Sequence, residues 1–243
     1  MGTSTSYSAP PAWSDLKADV TRAATSGALN ASTAAELVRS FVRHAGGVEG
    51  FARGAGGGGG GGVASGRAAR SAASRLAGFL SEVGRSGLDV ALRDAGWGDL
   101  VGRPVSEVLA ALLDRLGGDA STIDAVDARM ALARLEEQYF GAAATPEELE
   151  ALLLAQVANI ETVLRDFFGL YLYEVFCRIF FERLVQRVGD TRAHALLDQI
   201  RDFIVATLAN RTGTRDVSSV DWAGAEGAAM TADIMETTLS VFG

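Results

Sequence analysis

The chain has 243 residues, of which 48% are hydrophobic, 21% charged and 7% aromatic, enough to bury one sizeable core. Twenty-two Lys and Arg stand against 30 Asp and Glu, and a net charge of −8 argues against a nucleic-acid binder, whose affinity comes from cations on phosphates. Cys177 is the single cysteine, and His44 and His194 are the two histidines, which excludes an intrachain disulfide and a Cys- or His-rich metal site. No cofactor is expected.

Residues 1–65 are rich in Ser, Thr, Ala and Gly, and Gly56 to Gly62 are consecutive glycines. Such a run loses too much backbone entropy to hold a helix, so residues 1–65 are expected to form a flexible tail with possible short helices and a poly-Gly tether. Residues 66–243 are expected to form a helical domain. In it, Ser65 is expected to cap a helix that stops at Gly84, and Ser86-Gly87 leads into a short second one. Pro104 suits the first turn of a helix ending at Gly117-Gly118. Ser121 precedes a helix with Ile123, Val126, Met130, Leu132 and Leu135 at helical spacing. Thr145-Pro146-Glu147-Glu148 combines a hydroxyl cap, a first-position proline and a glutamate three residues after the cap. The helix it starts is expected to reach Val188 with a bend near Gly169. Gly189-Asp190 separates it from a helix carrying Leu196, Ile200, Ile204 and Leu208, and a last helix begins near Asp221. No stretch alternates with period two. The fold class is therefore all-α, a bundle of about seven or eight helices.

Nothing in the first thirty residues resembles a secretory signal, so a cytoplasmic location is expected. The most apolar run, Val163 to Val188, is interrupted by Arg165, Asp166, Glu174, Arg178, Glu182, Arg183 and Arg187. Charges near a bilayer centre cost about 2.5–3.5 kcal/mol each on insertion scales, which favours a buried helix of a bundle over a membrane span.

Several features carry candidate chemistry. The glycines lack the lysine and the preceding strand of a phosphate loop, since Lys17 is the sole lysine. Arg67, Arg70 and Arg75 form the one basic patch, read either as a solvated face or as a partner-docking surface. Glu174, Arg178 and Glu182 at i,i+4 spacing read as a structural ion triad more simply than as an acid with raised pKa. There is no Ser-His-Asp signature, and no enzymatic activity is expected. Charge is uneven: through Arg103 the chain carries 11 basic and 8 acidic residues, and from Pro104 onward 11 basic and 22 acidic.

Met1 is followed by Gly2, and loss of Met1 would leave an unhindered glycine α-amine, with a pKa of about 7.7–8.0 and thus partly nucleophilic near neutrality. Met1 to Ser6 also fits the myristoylation pattern, but the Ala/Gly/Arg-rich, lysine-poor composition points to a bacterial source, where such acylation is not expected. From the residues alone the segment is either this reactive terminus or a tail without function.

The opening MGTSTSYSAP, the glycine-rich tether, the stretch LDVALRDAGWGDLVGRPVSEVLAALLDRLGG and the C-terminal RDVSSVDWAGAEG together resemble the QatB family of the four-gene Qat anti-phage defence system. The resemblance touches both ends and the middle of the chain. It implies a non-enzymatic defence protein whose system also contains a P-loop ATPase, a QueC-like (QatC-like) enzyme and a TatD-like nuclease. It further implies that Gly2 accepts an amide-linked deazaguanine from the QueC-like enzyme, with Thr3, Ser4, Thr5 and Ser6 as recognition residues. Asp221, Trp222 and Glu226, from the D-W-A-G-A-E-G ending, join Arg67, Arg70 and Arg75 as docking candidates. Ser8 to Trp13 depart from the Gly- and Pro-rich run associated with the family after the opening. The alternatives are an unmodified structural adaptor of the same complex and a nucleic-acid-binding helical protein. No membrane association is expected.

Overall fold

Eleven helices and no strand make up the described part of the chain, three or four helices more than the spacing predicts. The structure is a computed structural model that describes residues 13–27, 29–51, 65–209, 211, 215, 217 and 219–243. The helices are α1 (Trp13–Ser26), α2 (Ala31–His44), α3 (Gly47–Glu49), α4 (Arg67–Ser86), α5 (Leu88–Asp94), α6 (Val105–Gly117), α7 (Ile123–Phe140), α8 (Pro146–Val157), α9 (Ile160–Val188), α10 (Asp190–Ala209) and α11 (Ala225–Ser240). No helix among the described residues is long and apolar enough to cross a membrane.

The axis of the bundle is α9, which touches α1, α4, α7, α8, α10 and α11. It is apolar nearly all round and has partners on all sides, so Phe167, Phe168, Tyr171, Phe176 and Phe180 are all buried. Burying an aromatic of this size is worth about 1.5–3 kcal/mol. Gly169 marks a close approach between helices: a Cβ there would overlap Leu208 and come within 3.3 Å of Ile204 of α10.

The N-terminal boundary is the main difference from expectation. From Trp13 onward α1 and α2 belong to the same core as the rest, because each carries an apolar face that α9 and α10 cover. Phe41 lies 5.1 Å from Phe176 and 5.9 Å from Phe180, and Trp13 packs edge-on to Phe41 at 5.9 Å. These T-shaped contacts add to the burial itself. The expected tether, Gly56 to Gly62, lies outside the described residues.

Helix ends differ in detail as well. The predicted capping box is present at Thr145 and Glu148, but α8 stops at Val157 and a new helix starts at Ile160, so no single helix reaches Val188. Thr122 rather than Ser121 caps α7, accepting from Ala125 N–H at 3.1 Å. Pro104 precedes α6 with ψ of 143° instead of occupying its first turn. Gly84 is passed through by α4. On α7 the expected apolar stripe divides: Leu132 and Leu135 are buried, whereas Ile123, Val126 and Met130 are turned outward, exposed at 64%, 45% and 47%. The buried face uses Ala125, Ala128, Ala131, Leu132 and Leu135, whose small alanines let α7 approach α4 and α9 closely.

Candidate functional site

A groove of 810 Å³ runs along one face of α4, walled by α5, Trp97, the α8–α9 junction and residues 219–223. The face begins with Arg75 and continues through Gly78, Ser81, Glu82 and Arg85, spacings that align on one side of a helix. Phe79 and Trp97 stack obliquely with centroids 5.5 Å apart and give the groove an apolar wall. Three of the docking candidates, Arg75, Asp221 and Trp222, meet here.

The Asp221–Gly227 turn explains its own sequence. An Asp221 carboxylate oxygen accepts the Ala223 N–H at 3.2 Å, the Glu226 carboxylate accepts the Asp221 N–H at 3.2 Å, and Gly227 N–H donates to Asp221 C=O at 3.0 Å. These bonds occupy groups that would otherwise go unpaired ahead of α11. Gly227 lies against the turn so closely that a Cβ would come within 2.6 Å of the Trp222 carbonyl oxygen. Trp222 is thereby pressed into the core, 5% exposed, against Gly78 of α4. Its Nε1 is buried without a hydrogen-bond partner among the described residues, as is the hydroxyl of Ser81.

The arginines of α4 divide. Arg67 is exposed, whereas Arg70 and Arg75 are half-buried. Arg75 donates from Nε to the Leu116 carbonyl and from Nη1 to Ser71 Oγ, each at 2.7 Å, thereby serving the C-terminal end of α6. Burial pulls the Arg75 guanidinium below its ordinary pKa. Burial does the same to Arg70, partly offset by Asp124, and one Arg70 nitrogen is buried without a partner. A cationic strip of three free forks, as phosphate binding would need, is therefore not what α4 presents.

Four acidic residues of the bundle interior, Glu174, Asp127, Glu161 and Asp166, are tied to cations or hydroxyls. Glu174 pairs with Arg134, whose guanidinium lies over the Tyr173 ring at 5.1 Å. Arg178 reaches across to Asp127 on α7 at 2.8 Å, so the triad expected along α9 alone is replaced by pairs between helices. Burial lifts the Asp127 carboxyl to about 6 in spite of Arg178, with Asp124 and Glu174 adding to the rise. Glu161 and Arg165, both buried, pair at 3.1 Å, and Arg215 joins them. Asp166 takes the Tyr139 hydroxyl at 2.6 Å. Among the described residues no group of three or more His, Cys, Asp or Glu side chains is placed to hold a metal ion. Burial pushes the Cys177 thiol up to about 12, which leaves almost no thiolate at neutral pH.

Sequence reasoning missed Asp124. Its carboxylate accepts from Ser65 Oγ at 2.7 Å, from Gly66 N–H at 3.2 Å, from Ala68 N–H at 3.0 Å and from the Tyr171 hydroxyl. It therefore caps α4 from another helix, the role expected of Ser65. Burial would raise its pKa, but the bonds from Tyr171, Ala68 and Ser65 outweigh burial and hold the carboxyl below the ordinary range. No local signal reveals this, because the partners lie 47 to 59 residues away.

A family model described as Qat anti-phage system associated protein QatB matches residues 57–242. The chain belongs to the QatB family. The match takes in the groove, the Asp221–Gly227 turn and the Asp124 cap, and so makes the chain an anti-phage defence system protein. Gly2, Thr3, Ser4, Thr5 and Ser6 lie outside both the matched segment and the described residues. No curated protein and no solved structure matches the chain.

Proposed function

We propose that this QatB-family chain is a non-enzymatic component of its defence system, acting as substrate through Gly2 and as a docking platform through its helical body. After removal of Met1, the glycine nitrogen attacks the activated carboxyl carbon of a deazaguanine held by a QueC-like (QatC-like) partner. An amide bond forms, the activating group departs, and the amine loses a proton. The P-loop ATPase and the TatD-like nuclease of the system are further partners for the body, in the cytoplasm.

The observation that carries this reading is family membership together with the opening Gly2-Thr3-Ser4-Thr5-Ser6, a terminus without bulk beside the reacting nitrogen. Trp13 is the first described residue and is buried, and a chain of the length of residues 2–12 spans at most about 40 Å when fully extended, enough to enter another enzyme's pocket. The pairing of buried acids with arginines, Glu174 with Arg134 and Asp127 with Arg178, supports a scaffold role for the body over a catalytic one.

Intact-mass spectrometry after co-expression with the QueC-like enzyme tests the acceptor role. A mass gain confined to the N-terminal peptide and abolished by Gly2→Pro is the expected result; an unmodified N-terminus overturns it. The meeting of Arg75, Asp221 and Trp222 at one groove favours a second, compatible reading, an adaptor whose docking does not depend on modification. Pull-downs of the system components with and without residues 2–12 separate the two.

A further inference from the structure

We infer that the groove along α4 receives an extended acidic segment of a partner protein, with Arg75 as the counter-charge for an Asp or Glu side chain of that segment. The inference rests on the reading of the helical body as a docking platform and is independent of any reaction at Gly2.

Of the two arginines that line the groove, Arg75 and Arg85, Arg75 is the one without a carboxylate partner among the described residues. Several partly buried arginines elsewhere have a carboxylate, Arg115 with Asp99 at 2.9 Å, Arg134 with Glu174 and Arg215 with Asp233 at 2.7 Å, while Arg70 and Arg183, which have no ion pair among the described residues, do not line the groove. Arg75 is half-buried and has no carboxylate within ion-pair distance among the described residues; its bonds go to a backbone carbonyl and a serine. Desolvating a cation without an opposite charge is costly, and a carboxylate brought by a partner would offset that cost through a charge-assisted, forked hydrogen bond. Arg85, at the far end of the same face, is already neutralised by Glu82 at 3.1 Å. Arg75 is thus the end at which an acid belongs.

The neutral groups of the groove agree. The Ser81 hydroxyl and the Trp222 Nε1–H are both without a partner among the described residues, and buried polar atoms without a partner are uncommon in folded proteins. The indole nitrogen can only donate, so it requires an acceptor, and peptide carbonyls are the acceptors an extended chain offers at regular intervals. From Ser74 to Arg85 the groove follows α4 for about 17 Å, the length of about five extended residues. Phe79 and Trp97 offer an apolar surface for side chains between the acids. Asp94 and Asp221, on the rim, are exposed and screened by water, and they oppose acidic residues anywhere but at the Arg75 end.

The test is selection of a random dodecapeptide display library on the full-length protein, followed by fluorescence-anisotropy titration of the selected peptides. Selected peptides are expected to carry Asp or Glu. Ala95, exposed on the groove wall just after α5, takes either charge without touching the core. Ala95→Glu is expected to weaken binding, and Ala95→Lys to tighten it, each about three- to tenfold, with Arg75→Gln costing about tenfold or more. Because Arg75→Gln also removes a bond to Leu116, the two Ala95 variants keep the test decisive if that protein folds poorly. Three results overturn the inference: no peptide selected, selected peptides without acidic residues, or affinities indifferent to the charge at residue 95. Competition by a single-stranded oligonucleotide at the same site would likewise overturn it in favour of phosphate binding. The Gly2 experiment reads a mass and this one an affinity, so either can fail alone.

Discussion

The Tyr171 hydroxyl of α9 donates to the Asp124 carboxylate of α7, and the same carboxylate closes the N-terminus of α4 through Gly66 and Ala68. Three helices that are remote in sequence thus share one half-buried acid. Asp124→Ala leaves the hydroxyl and two helix N–H groups unsatisfied, and is expected to destabilise the protein by about 2–4 kcal/mol in urea melts. Tyr171→Phe should cost about 1.5–3 kcal/mol, and the double variant less than the sum of the two. Additive losses would show that the three helices are held independently.

Glycine substitutions should sort by contact, not by glycine content. Gly227→Ala forces a methyl onto the Trp222 backbone, and about 3 kcal/mol or more of stability should be lost. Gly96 has a φ of +76° but open space around its missing Cβ, so Gly96→Ala is expected to lose only about 1–2 kcal/mol of backbone strain. Thermal unfolding of the pair checks the order.

Glu136 faces an apolar cavity lined by Leu109, Leu113 and Leu132, and burial raises its carboxyl to about 7. Between its ordinary value of 4.5 and about 7 the folded chain holds a proton that the unfolded chain has released. Stability from this group therefore falls as pH rises through that window, and Asp127, raised to about 6, acts in the same direction. Glu136→Gln should raise the Tm at pH 8, leave it nearly unchanged at pH 5, and flatten the profile between them. Because the side chain is partly exposed, solvent screening keeps the shift small, a few degrees at most.

Cys177 is flanked by Tyr173 and by the Glu174–Arg134 pair, and its thiol is pushed up to about 12. Alkylation by iodoacetamide at pH 8 should be far slower than for a free thiol and should become fast in denaturant. Rapid labelling of the native protein would mean that the α9–α10 face opens readily.

The local code of this chain is strong and the long-range code weak. Helical spacing, the Thr145–Glu148 capping box and the stops at Gly118 and Gly189 were readable because each depends on neighbours within one turn, and they suffice for an all-α fold. So was the Asp221–Gly227 ending as a motif, although its physical meaning, a turn that seats Trp222 against Gly78, required both partners in place. Tertiary packing alone decided the rest. Phe41 bound α1 and α2 into the core because α9 offered Phe176 and Phe180, so a segment of tail-like composition became part of the bundle from Trp13 onward. The outward turn of Ile123, Val126 and Met130, the capping of α4 by Asp124, and the isolation of Arg75 from the carboxylates of the described residues follow likewise from which helix faces meet. Burial and pairing energies belong to pairs of residues far apart in the chain, and a single sequence displays each residue without its partner.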